Sequence, residues 1–203
     1  VGGGRQNTIA LEAEDTTIAG GAYNDVGTHA ISSTIGGGFD NNIGANSAGS
    51  TIGGGWGNNI LTSTADAVIA GGTFNNIGTN ADYGAIGGGY DNEIWANAQY
   101  ATIPGGRRNA ATNYAFAAGN RAKANHPGAF VWGDSTSADV TSSANNQVTF
   151  RCQGGVRFLN TNGTLYVAWV PGATAWTVVS DQARKENFAP VDTKTVLEKV
   201  AAL

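Results

Sequence analysis

Seven asparagines stand 17 residues apart: Asn7, Asn24, Asn41, Asn58, Asn75, Asn92 and Asn109. A recurrent amide can serve a ligand or the fold itself. Asparagine brings no charge to a cation, whereas stacked amides bond to one another and to turn backbone, so a structural ladder is expected. Five aromatic residues, Tyr23, Phe39, Trp56, Phe74 and Tyr90, follow glycines at nearly the same interval. Surface rings stack on sugar faces, and they also cover glycines or join subunits. They are the candidate ligand-binding residues.

Other chemistry is thinly supplied. Thr17, Thr34, Thr51 and Thr102 form a row that could order water as an ice-binding array, but Val68 and Ala85 interrupt it. Glu12, Glu14, Asp15, Asp66 and Asp82 include no repeated carboxylate pair at the spacing glycoside hydrolysis uses. His29, His126 and Cys152 lie far apart, and no set has metal-ligand spacing. The glycine pairs lack the Lys-Ser/Thr that completes a phosphate loop. No metal and no cofactor are expected.

A repeat positions these residues. Val1, Ile18, Ile35, Ile52, Ile69, Ile86 and Ile103 succeed one another at 17-residue steps. Counting from them, glycine holds columns three and four, asparagine column seven, and Ile or Val column nine from Ile9 to Ile94. After Ile103 the step shortens to 14, through Ala117 to Val131. Seventeen residues are too few for two packed helices, and paired glycines disfavour even one. They suit a coil of two short strands and two turns. The spacing therefore predicts an all-β fold, a parallel β-solenoid or β-roll of 17-residue and then 14-residue coils. Alternation along each strand points columns one and sixteen inward on one side, and columns nine, eleven and thirteen on the other. Column eleven reads Leu11, Thr28, Ala45, Thr62, Thr79, Ala96.

Coils stacked at about 4.8 Å make a rod of roughly 40 Å. Two substantial apolar side chains per coil contribute about 1.5–3 kcal/mol each, against about 1–2 kcal/mol of entropy per ordered backbone residue. A lone rod is marginal. Lateral association is expected, and three rods about an axis would bury outward residues such as Leu61 and Trp95. The predicted domains are the solenoid over 1–133, a linker and small β neck over 134–179, and a C-terminal segment over 180–203. Asn162-Gly163 marks a hairpin turn in the neck. Asp192 reads as the N-cap of a short helix with Val196, Leu197, Val200 and Leu203 on one face.

Composition agrees with a thin, folded, repetitive chain. There are 31 glycines, and charged residues make up only 13%. Disorder goes with high net charge and few apolar residues; here the net charge is −4 and 41% of residues are hydrophobic. No basic stripe suits nucleic acid or anionic lipid, and no apolar run reaches transmembrane length. With no methionine and a first residue already at a repeat start, the chain is expected to be part of a longer or processed protein.

The coils, above all AAGNRAKANHPGAFVWGD over 117–134, resemble the head repeats of trimeric autotransporter adhesins. That resemblance implies a homotrimeric left-handed parallel β-roll. The end, SDQARKENFAPVDTKTVLEKVAAL over 180–203, is similar to the opening of the intramolecular chaperone domain of phage tail spikes and fibres, the S74 peptidase family. That family trims itself after assembling its trimer. Carried over, cleavage would fall between Ser180 and Asp181, with Ser180 as nucleophile and Lys185 as activator. The expected function is a structural and adhesive segment of a trimeric extracellular, cell-surface or virion fibre that meets a glycan or protein receptor. The alternatives are a tail-spike-like glycan hydrolase and an ice-binding solenoid.

Overall fold

The computed structural model describes residues 1–162, 165–178 and 192–202. They belong to two compact units, Val1–Cys152 and Gln153–Leu203. The first is a parallel β-solenoid. Each 17-residue coil gives one two-residue strand to each of two parallel sheets, as Thr34–Ile35 and Asn42–Ile43 do. Pairing steps by one repeat: Ile35 lies beside Ile52, and Ile43 beside Ile60. The column-one sheet has ten strands and the column-nine sheet nine. A third line of single bridges runs through column five, from Arg5 to Arg107. Each coil thus touches its neighbours along three lines, one more than two strands alone would supply.

The core is a stack of β-branched side chains. Ile18 to Ile103 in column one and Val26 to Ile94 in column nine are at most 1% exposed. Ala30, Ser47, Thr64, Ala81 and Ala98 of column thirteen are buried with them, as are Ser33, Ser50, Ala67 and Ala101 of column sixteen. The buried hydroxyls are satisfied: Ser50 Oγ donates to the Thr64 carbonyl at 2.8 Å. Column eleven departs from the expected inward set. Leu11 is 82% exposed, and Thr62 and Ala96 are exposed too. Column twelve is the reason, because its residues turn left-handed with φ of 56–61° from Glu12 to Asn97. Strand alternation ends there, and column eleven swings outward. Leu61 and Trp95 lie on this same turn.

The shorter coils lose residues at identifiable places. Ala111 still follows Ile94 by 17, but Phe116 follows Thr102 by 14, so the loss falls in the turn between columns nine and sixteen. The enclosed cross-section shrinks, and the core shrinks with it: Ala111, Ala117 and Ala124 stand where Ile stood before. Close packing requires that match, since neither voids nor excess methylenes are tolerated inside.

The solenoid continues beyond residue 133. Phe130–Gly133 pairs in parallel with Val148–Arg151, and Ala122 and Lys123 pair with Val140 and Thr141. Residues 134–146, expected as a linker, complete a further coil. Arg151 holds it: Nε donates to Asp134 Oδ1 at 2.9 Å, and its other nitrogens donate to the carbonyls of Asn120, Thr136 and Ala138. Only Val140 of that stretch packs on the core, so hydrophobic periodicity could not reveal the coil.

The second unit holds an antiparallel sheet of Val156–Leu159, Leu165–Trp169 and Thr177–Val178. The first two strands form the hairpin expected around residue 162. A helix spans Thr193–Ala201, and Asp192 caps it by accepting from the backbone N–H of Lys194 and Thr195. Its Val196, Leu197 and Val200 are exposed.

Candidate functional site

Each asparagine of column seven is built into the turn that follows the glycines. Asn41 Nδ2 donates to the carbonyls of Gly37 in its own coil and Gly55 in the next, both at 3.0 Å. Its Oδ1 accepts from the backbone N–H and Nδ2 of Asn58, each at 3.1 Å. From Asn24 to Asn109 these side chains are at most 1% exposed. The ladder is saturated by the fold and has nothing left for a ligand.

That turn projects the surface residues beside it. Column six is left-handed, with φ of 54–59° at Tyr23, Asp40, Phe74, Asp91 and Arg108. Column five precedes it on the bridge line. The five candidate aromatics divide between these columns: Phe39, Trp56 and Tyr90 occupy the fifth, Tyr23 and Phe74 the sixth. Where column five is small, at Ala22 and Thr73, column six supplies the ring. One ring per coil results, and consecutive centroids lie 5.3, 6.3, 5.1 and 6.2 Å apart, mostly edge to face. Phe39, Trp56, Phe74 and Tyr90 remain 41–51% exposed. The guanidinium of Arg5 lies 5.2 Å from the Tyr23 ring, and that of Arg107 lies 5.9 Å from Tyr90. The structure therefore brings the five together as a continuous ladder.

Beyond the ladder the same columns turn ionic. A cleft of about 310 Å³ opens beside Phe74, with Asp91, Glu93, Arg108, Arg121 and Lys123 around it. Arg108 Nε meets Asp91 at 3.1 Å, and Arg121 Nε meets Asp139 at 2.7 Å. Lys123 Nζ donates to the Arg108 carbonyl at 2.6 Å. None of these charged cleft residues was singled out from the sequence. The signal was available in the succession Asp91, Arg108 in column six, one coil apart.

Two further surfaces appear only in three dimensions. Tyr83, Tyr100 and Tyr114 stack face to face, with centroids 4.9 and 5.3 Å apart. Their spacings of 17 and 14 repeat the coil steps. Two outward rows of the column-one strands carry no charge from Thr17 to Phe150. One row runs Thr17, Thr34, Thr51, Val68, Ala85, Thr102, and it continues as Phe116, Phe130 and Val148. The row beside it reads Ala, Gly and Pro before ending in Trp132 and Phe150. Trp132 is 42% exposed and Phe150 53%. The threonine row thus lies on a flat face with one hydroxyl per coil at most.

Glu12 pairs with His29, and Asp82 accepts from the Ala65 N–H and from Gln99. Among the described residues no three His, Cys, Asp or Glu side chains gather as a metal site. Burial pushes the Cys152 thiol up from its ordinary range, with Asp134 adding to the effect. Ser180, Asp181 and Lys185 lie outside the described residues. No protein-family model matches this chain, and no curated protein matches it significantly.

Proposed function

We propose that this chain is a structural and attachment segment of a homotrimeric extracellular or virion fibre. The observation that carries the proposal is the pair of charge-free outward rows on the column-one strands, ending in exposed Trp132, Val148 and Phe150. Contiguous exposed apolar area of this kind marks interaction sites. It suits a second copy of the same flat, repeating surface, and a thin solenoid gains most from such burial. Column eight of the opposite sheet is polar by contrast, presenting Asp25, Asn42, Asn59, Asn76 and Glu93. Copies joined along one sheet would leave the aromatic ladder facing outward for a glycan or protein receptor. No helix among the described residues is long and apolar enough to cross a membrane.

In this proposal the coils carry no reaction. The only chemistry is a single self-cleavage between Ser180 and Asp181, performed where a complete chaperone domain follows. Sedimentation velocity of the purified chain tests the assembly. An elongated species of three chains is expected; a compact monomer at micromolar concentration would end the proposal.

A further inference from the structure

The aromatic ladder and the ionic cleft form one continuous surface, because Phe74 belongs to both. We propose that this surface binds an extended, neutral polysaccharide, with sugar rings laid along the ladder and hydroxyls held in the cleft. The proposal names the ligand class for the attachment surface and rests on the fibre assignment for its biological setting alone.

Four features point to this ligand. The ladder offers one ring per coil with centroids 5.1–6.3 Å apart, close to the advance of one pyranose in an extended chain. A ligand of matching period can therefore meet one ring at each coil, alternately on a face and on an edge, since successive rings are turned 48–81° from one another. The ring is also kept when its column changes, as at Tyr23 and Phe74. Simple glycine cover would not require that exchange.

The cleft supplies what hydroxyls need. Vicinal hydroxyls donate to carboxylates while accepting from ammonium and guanidinium groups. Asp91 and Asp139 are paired with arginines. Glu93 is exposed and has no ionic partner among the described residues, and Lys123 donates to the Arg108 carbonyl. In the sheet, Glu93 pairs with Ala110 and Ala110 with Lys123. Their backbones are two strands apart, roughly 10 Å, and the Lys123 ammonium reaches back to the Arg108 carbonyl in the coil between, where Ala110 is buried. An acceptor and a donor thus border the same cleft, as the hydroxyls of one sugar require.

Charge selects a neutral polymer. Asp91, Glu93 and Asp139 balance Arg108, Arg121 and Lys123 in the cleft, and the chain as a whole carries −4. A polyanion finds no excess of cations here and meets net repulsion.

Affinity electrophoresis of the full chain tests the proposal, with a soluble β-glucan, a galactomannan, dextran and polygalacturonate as probes. At least one neutral polymer should retard the protein, and its linear oligosaccharides should bind more tightly with length. Trp56→Leu and Glu93→Gln should each weaken binding about tenfold, a change of about 1.4 kcal/mol. Tyr100→Leu, on the separate tyrosine stack, should leave it nearly intact. Glu93 is exposed, so its variant tests the cleft even where Trp56→Leu disturbs a coil. Retardation by polygalacturonate alone, by no probe, or equally in all variants overturns the proposal. A monomeric chain that binds neutral glycan keeps it and refutes the fibre; a trimer that binds none does the reverse.

Discussion

The side-chain oxygen of Asn58 accepts two hydrogen bonds from Asn75 one coil on, from its backbone N–H at 3.0 Å and its Nδ2 at 3.1 Å. Asn75 Nδ2 also donates to the carbonyls of Gly71 and Gly89. One amide therefore joins three coils, and no residue with a single polar function can replace it.

Replacing Asn58 tests that requirement. Asn58→Ala leaves buried turn groups without partners, at about 1–3 kcal/mol for each group left unsatisfied. Asn58→Asp removes the donor and buries an unpaired charge, and it should cost about 3–5 kcal/mol at neutral pH. Urea denaturation should rank aspartate below alanine. Equal stability of the two variants would show that the ladder is solvated.

The paired glycines should differ sharply. A Cβ on Gly55 would run into the Gly72 carbonyl oxygen of the next coil, while the nearest atom to one on Gly54 is 3.7 Å away. Both have positive φ, so Gly54→Ala pays backbone strain of about 1–3 kcal/mol. Gly55→Ala meets that strain and a backbone collision as well. Thermal unfolding should show a modest shift for the first, and failure of the coil to close for the second.

Arg151 should govern the coil over 134–139. Arg151→Met removes its bonds to Asp134 and to three carbonyls. Loss of a half-buried cation with such partners is expected to cost about 2–4 kcal/mol. Hydrogen exchange should quicken over 134–141 and remain unchanged around Ile52. Uniform exchange across the rod would contradict a local role.

The 17-residue step was fully legible in the sequence, because each coil must place Ile, Gly and Asn at fixed points of one closed path. The burial of columns one, nine, thirteen and sixteen followed from it. Column eleven did not, because a left-handed residue such as His29 or Asn46 interrupts alternation and leaves no mark in hydrophobicity. The coil closed by Arg151 was hidden for a related reason: hydrogen bonds to carbonyls hold it, and they carry no periodic signal. For the site, the five rings were visible as separate residues. Their union into one ladder was not, because it depends on two adjacent columns exchanging the ring. The apolar face was obscured in the same way, since Trp132 and Phe150 continue a row that begins with alanine and glycine.

The C-terminal helix carries a small pH response. Asp192 accepts from Thr195 Oγ1 at 2.6 Å and from the backbone N–H of Thr195 and Lys194. These bonds, the Thr195 side chain first, lower its carboxyl below the ordinary aspartate range. A depressed folded-state pKa contributes stability above the unfolded value and loses it as pH falls through the folded one. Helical amide shifts of Lys194 and Thr195 should therefore hold steady down to about pH 4 and then move toward coil values. Asp192→Ala should show them displaced at every pH.

The molar mass of the unaltered chain in solution tests the fibre assignment most directly. Light scattering should return three times the single-chain 20.6 kDa, falling to one chain when Trp132→Asp and Phe150→Asp together put charge on the apolar face. A unaltered chain that stays at one copy, or a trimer indifferent to both substitutions, would contradict the assignment of that face as the place where copies meet.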